Sequence, residues 1–152
     1  MPGKYLRYQQ LVRRIREVAQ TTLPPGATVV VVSRGDEALL ELGDGRRGWH
    51  FPQEHGGVYA GHYPADSAEA IDHLEELRSR GGEFLLLPET SLWWLEHYGG
   101  FRKHLEERYR LFVRKEGTCM IFTLEGLPET EHGGTIVQAS DTRNANLQDT
   151  SA

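Results

Sequence analysis

Apolar positions along this 152-residue chain follow two kinds of pattern, and each predicts a different element. Between Tyr5 and Thr22, Leu11, Val12, Ile15, Val18 and Ala19 recur at spacings of three and four, as in an amphipathic helix. Its other face is basic, with Lys4, Arg7, Arg13, Arg14 and Arg16 set against Glu17 alone. Leu23-Pro24-Pro25-Gly26 ends it, because proline cannot extend a helix and disfavours helical geometry in the residue before it. Four consecutive valines then fill Ala27 to Ser33, and a β-branched run without alternation predicts a strand buried on both faces. The polar turn Ser33-Arg34-Gly35-Asp36 stops it. A second short strand is expected over Ala38 to Leu42, closed by Gly43-Asp44-Gly45. Residues 46 to 64 show no period and read as a long ordered loop, with room for a short strand near Trp49-His50-Phe51.

Asp66 is a helix N-cap, and Glu69 stands where a capping box needs a carboxylate. Ala70, Ile71, Leu74 and Leu77 supply the buried stripe of that helix, and Gly81-Gly82 closes it. Phe84 to Leu87 is the next buried strand, cut by Pro88. Thr90 or Ser91 is expected to cap a helix from Leu92 to Tyr98, which Gly99-Gly100 interrupts before it resumes from Phe101 to Tyr109. Strands from Tyr109 to Arg114 and from Thr118 to Leu124 follow, joined by the hairpin-length link Lys115-Glu116-Gly117.

Strands alternating with helices predict an α/β class. The expected form is a Rossmann-like three-layer domain, with a mostly parallel sheet and an antiparallel C-terminal hairpin. The chain divides into an amphipathic helix (1–23), an α/β domain (24–126) and a tail (127–152). The tail holds few large apolar residues and carries Glu129, Glu131, Asp141 and Asp149 against Arg143, so it is expected to be disordered.

Composition narrows the function classes. No apolar run approaches the roughly 20 residues of a membrane-spanning helix, and the first residues lack the apolar core of a secretory signal. A cytoplasmic location is the expectation. One cysteine excludes an internal disulfide framework, and Cys119 sits in a predicted strand as a small core residue. A net charge of -5 argues against a dedicated nucleic-acid binder. No G-x-G-x-x-G directly follows the first strand, where a dinucleotide site needs it, and the Walker loop and the G-x-S-x-G elbow are missing. No Asp-x-Asp stands where many glycosyltransferases hold a metal, and no cofactor is implied.

Open α/β sheets bind ligands outside the carboxyl ends of their strands. On that edge the sequence places Arg34 and Asp36 after the first strand, with Glu89 and Thr90 after the central one. Trp49, His50, Tyr59 and His62 come from the loop expected above them. Arg34 and a helix start suit an anion, whereas rings beside polar groups suit a sugar or a nucleotide. His50, His55 and His62 are acid/base candidates, but their spacings match no metal site. The alternative for each residue is structural: caps, turns and an aromatic-anchored loop. Trp93 and Trp94 point about 100° apart on a helix, so one is expected in the core while the other faces outward or into the loop.

Several stretches carry a resemblance: Val29-Val30-Val31-Val32-Ser33-Arg34-Gly35-Asp36, Trp49-His50-Phe51-Pro52-Gln53, Gly57-Val58-Tyr59-Ala60-Gly61 and Trp93-Trp94-Leu95-Glu96-His97-Tyr98. Together with the stretch from Pro64 to Ile71 and Leu105 to Tyr109, they resemble an α/β module of large bacterial proteins. There it accompanies glycosyltransferase domains of surface-glycan synthesis. The resemblance covers about Thr22 to Leu124 and implies an accessory or binding module with a sugar, a nucleotide-sugar or a glycosyltransferase domain as partner. It carries over no catalytic residue. Two other classes remain open: a small transferase or hydrolase using the loop histidines, and an assembly module forming homo-oligomers through the helix 5–22.

Overall fold

The computed structural model describes residues 2 to 125, and the expectation for the tail falls outside them. Among these residues four helices and an open five-stranded sheet make an α/β fold. Helix α1 spans Pro2–Thr22, and β1 (Thr28–Val31) follows the Pro24-Pro25-Gly26 turn. β2 is Arg47–His50, α2 is Ser67–Ser79, and β3 is Phe84–Pro88. α3 (Trp94–His97) and α4 (Gly99–Arg108) lead into the hairpin of β4 (Arg110–Lys115) and β5 (Cys119–Thr123).

The strand order is β2-β1-β3-β5-β4. β1 pairs in parallel with both β2 and β3, while β5 runs antiparallel to both β3 and β4. The sheet is therefore mixed. The hairpin docks through its second strand because that strand is the apolar one. β5 is buried along nearly its whole length, whereas the charged β4 stays exposed at the edge. The unbroken valines and leucines of β1 and β3 take the interior positions, where both faces are covered.

Alternation along the strands sends side chains to opposite faces. Val30, Leu85, Leu87 and Phe122 pack against Ala70, Leu74 and Leu77 of α2 and against Trp94, Phe101 and Leu105. Val29, Val31, Leu86 and Ile121 pack against Leu11, Ile15 and Ala19 of α1. The N-terminal helix thus spends its apolar stripe on the sheet of its own chain. Its basic face pins loops: Arg14 donates to Gly117 O and Thr118 Oγ1, and Arg16 donates to Glu41 O and Ala38 O.

Two local expectations are corrected. The segment Ala38 to Leu42 is not a strand, because Asp36 Oδ1 accepts from Ala38 N and starts a 3-10 helix at Glu37–Leu40. Leu39 then buries under α1, and the sheet's second strand is Arg47–His50, overlapping the short strand allowed for near Trp49-His50-Phe51 within the loop segment. Gly48 makes that pairing feasible, since a Cβ there would lie 2.6 Å from Leu40 Cα. Thr90 and Ser91 do not cap the next helix. A 3-10 turn over Glu89–Ser91 precedes α3, whose N-cap is Trp93, with no side-chain cap bond at either start. Asp66 does cap α2, accepting from Glu69 N at 2.9 Å.

Arg46, only 7% exposed, holds the turn between α1 and β2. Its guanidinium donates to the carbonyls of Leu23 (2.7 Å) and Gly43 (3.0 Å). A buried cation at the C-terminal carbonyls of a helix offsets their unpaired partial charge.

Candidate functional site

The chain leaves β1 toward β2 past the α1 face, then returns across the opposite face through α2 to β3 on the other side of β1. The strand order therefore reverses around β1, and the loops after β1 and β3 diverge there. Doubly wound sheets open their ligand crevices at such points.

Ser33 to Asp36 forms a tight turn at this place, with Asp36 N donating to Ser33 O at 3.0 Å. Both central residues are left-handed, Arg34 at φ 54 and Gly35 at φ 84. Glycine suits the second position for a further reason: a Cβ there would lie 2.9 Å from the Tyr59 ring, which covers the turn. Arg34 is exposed and, with Asp44, one of two non-glycine residues at positive φ among the described residues, a conformation that costs L-residues about 1–2 kcal/mol.

Beneath the turn lies a polar chain. His50 is 3% exposed, with Nε2 3.0 Å from Glu37 Oε2 and Nδ1 2.5 Å from Ser33 Oγ. An ionised carboxylate only accepts, so His50 Nε2 carries the proton and Nδ1 accepts from the Ser33 hydroxyl. Ser33 Oγ in turn accepts from Gly35 N. The three side chains are of hydrolase type, but Ser33 is fully buried and its oxygen is already committed on both sides. The chain locks β1 to β2 and to the capped turn.

Asp36 accepts from Tyr8 of α1 as well as from Ala38 N. Burial first, and then the hydrogen bond and negative charge of Asp36, push the Tyr8 phenol far above its ordinary range. Tyr59 is also raised, by burial and by Tyr63, with Arg34 pulling the other way. Arg34 thus acts electrostatically on both phenols.

The other sequence candidates separate. Trp49 follows the alternation to the face opposite His50 and packs with the α2 side of the core, its Cη2 4.0 Å from where a Gly81 Cβ would lie. His62 is exposed, and among the described residues its one side-chain hydrogen bond is to its neighbour's carbonyl, Tyr63 O. His55 is exposed on its own 3-10 turn. Glu89 is exposed beyond β3, and among the described residues no side-chain hydrogen bond ties Glu89 or Thr90 to the His50 chain. The structure therefore gathers Arg34, Asp36, His50 and Tyr59, and leaves Trp49, His62, Glu89 and Thr90 apart. Among the described residues no three His, Cys, Asp or Glu side chains form a group able to hold a metal ion. Cys119 is buried and its thiol is pushed up to about 12 by that burial, so it stays protonated.

Sequence reasoning missed Tyr8, Ser33 and Glu37. Tyr8 was findable, since it stands three residues before Leu11 and seven before Ile15, on the same helical stripe. Ser33 and Glu37 carried no such signal.

A second surface adjoins this edge. Tyr63, 43% exposed, meets Trp93, 38% exposed, edge to face with ring centroids 5.0 Å apart. Trp94 is fully buried against Phe51, Tyr98 and Phe101. The tryptophan pair therefore divides between core and surface, as its spacing predicted. At the opposite end of the sheet a groove of about 610 Å³ runs between Pro24, Arg78, Phe84, Arg110, Phe112 and Leu124. Its wall includes Glu125, the last described residue.

No helix among the described residues is long and apolar enough to cross a membrane. Compared with protein-family models, curated proteins and solved structures, the chain matches none at a significant level.

Proposed function

We propose that this chain is a non-catalytic binding module that takes a nucleotide-sugar at the carboxyl edge of its sheet, beside enzymes of bacterial glycan assembly. In this reading the fold is a Rossmann-like three-layer domain. Helical cover on both sheet faces and the reversal of strand order around β1 support it. The module acts in the cytoplasm, next to a glycosyltransferase domain.

One observation carries the ligand class. Arg34 is exposed, held left-handed at the reversal point, and engaged in no hydrogen bond or ion pair among the described residues. Backbone strain retained under a solvent-facing cation, beside the Tyr59 ring, suits a bound anion better than it suits folding. The rival readings have less to stand on. His50 is tied up on both nitrogens, while His55 and His62 lie on solvent, so the loop histidines share no cleft. The apolar stripe of α1 is covered by the sheet, which leaves Tyr5 and Leu6 as the helix's exposed apolar residues for pairing.

The test is isothermal titration with UDP-, GDP- and dTDP-sugars and their parent nucleoside diphosphates. At least one pair is expected to bind, and Arg34→Ala to weaken it tenfold or more with the melting temperature held within about 2 °C. Binding indifferent to Arg34→Ala moves the site elsewhere on the molecule. No binding by any compound in the panel overturns the ligand class.

A further inference from the structure

The edge that carries Arg34 continues into the aromatic surface of Tyr63 and Trp93, and its charge changes sign along the way. Tyr59 covers the Arg34 turn, with its ring 5.7 Å from that of His50. Tyr63 follows Tyr59 by four residues along the same loop, and its ring meets Trp93 at 5.0 Å. Beyond it the charged groups are acidic. Tyr98, its ring 6.3 Å from that of Trp93, donates to Pro64 O just before Asp66 at the start of α2, and Glu96 stands one turn along α3 from Trp93, on the same helical side.

Trp93 is an unusual surface residue. Four rings surround it, those of Tyr63, Trp94, His97 and Tyr98, with centroids between 5.0 and 6.3 Å. It is nonetheless 38% exposed. An indole fixed by its neighbours and still open to solvent loses little conformational freedom when a ligand covers it. The apolar face of a sugar ring stacks on such a surface, while carboxylates nearby accept its hydroxyl protons. A phosphate is disfavoured among those carboxylates and favoured at Arg34.

Resting on the nucleotide-sugar reading above, we infer that Trp93 and Tyr63 form the subsite for the sugar ring, with the diphosphate held toward Arg34. The uncharged end of the ligand thus meets the acidic, aromatic end of the edge, and the charged end meets the cation. The segment from Tyr59 to Tyr63 bridges the two.

The experiment follows the indole N–H resonances in ¹⁵N spectra during titration with the tightest-binding nucleotide-sugar of the panel, and then with its parent nucleoside diphosphate. The Trp93 signal is expected to shift with the nucleotide-sugar and to stay in place with the diphosphate alone. Trp93→Ala is expected to weaken the nucleotide-sugar tenfold or more and to leave the diphosphate within twofold, with Trp93→Phe intermediate. Equal weakening of both compounds would assign Trp93 a structural role and overturn the sugar subsite. Nucleotide-sugar binding that ignores Trp93→Ala overturns the subsite while the wider reading stands, whereas silence toward the whole panel removes both. A Trp93 shift produced by tetramethylammonium and not by the sugar would make the patch a cation cage instead.

Discussion

Replacing Arg34 by glycine separates what the turn needs from what a ligand needs. At φ 54 an arginine carries about 1–2 kcal/mol of steric cost that glycine does not. Glycine returns part of this through the greater freedom of its unfolded chain, about 0.5–1 kcal/mol. Arg34 makes no hydrogen bond among the described residues, so deleting its side chain should forfeit little else. The balance is a gain of about 0.5–1 kcal/mol, or roughly 2–4 °C for a domain of this size. Arg34→Val should go the other way, because a β-branched residue is a true outlier at positive φ, and lose about 1–2 kcal/mol. Scanning calorimetry of both variants gives the stabilities, and titration with the nucleotide-sugar panel gives the affinities. Glycine should raise the melting temperature and abolish the anion contact together. If Arg34→Gly melts as low as Arg34→Val, the guanidinium is holding the fold and the argument from stored strain is wrong.

Gly48→Ala should cost about 2–3 kcal/mol in urea unfolding, because the new Cβ would sit 2.6 Å from Leu40 Cα and 2.8 Å from its carbonyl oxygen, both backbone atoms; a loss under 0.5 kcal/mol would mean the contact is soft. His73 Nε2 accepts from Gln53 N at 3.0 Å, and burial lowers the ring below its ordinary value of 6.5 against the pull of Glu76. A lowered histidine holds its stability contribution above pH 6.5 and loses it as pH falls through the folded value, because the unfolded chain then binds the proton more readily. The urea midpoint should therefore drop between pH 7 and 5, and His73→Leu should flatten that drop; an equal drop in the variant would place the titrating group elsewhere. Ser91 is fully buried and its hydroxyl has no hydrogen-bond partner among the described residues, so Ser91→Ala should hold or raise the unfolding free energy, by up to about 1 kcal/mol. A clear fall would reveal a partner for that oxygen.

Short-range physics was legible in the chain. Four adjacent valines have one low-cost place, between two other strands and under helices on both sides, and β1 lies there. The four-residue spacing of Leu11, Ile15 and Ala19 fixed both a helix and its buried side, and Asp66 fixed where α2 begins. Gly117 closes the β4–β5 hairpin where expected. The Trp93–Trp94 split followed from helix geometry alone. These features depend on residues near one another in sequence, so periodicity and turn chemistry suffice to read them.

The rest was decided by contacts between distant residues. Arg47-Gly48-Trp49-His50 has no strand alternation of its own; it is a strand because β1 offers an open ladder edge and Gly48 lets Leu40 approach. Once it pairs there, the pleat sends Trp49 and His50 to opposite faces, which divides two residues that the sequence had placed in one site. The bonds from Ser33 to His50, from Tyr8 to Asp36 and from Arg46 to the end of α1 join residues 17, 28 and 23 positions apart. None leaves a local trace, because a side chain's partner is set by how the strands register and which face each helix covers. Composition and pattern determined the elements and the inside of this protein, while the tertiary packing alone chose which polar groups were consumed in holding it together and which, Arg34 and Trp93 foremost, were left facing outward.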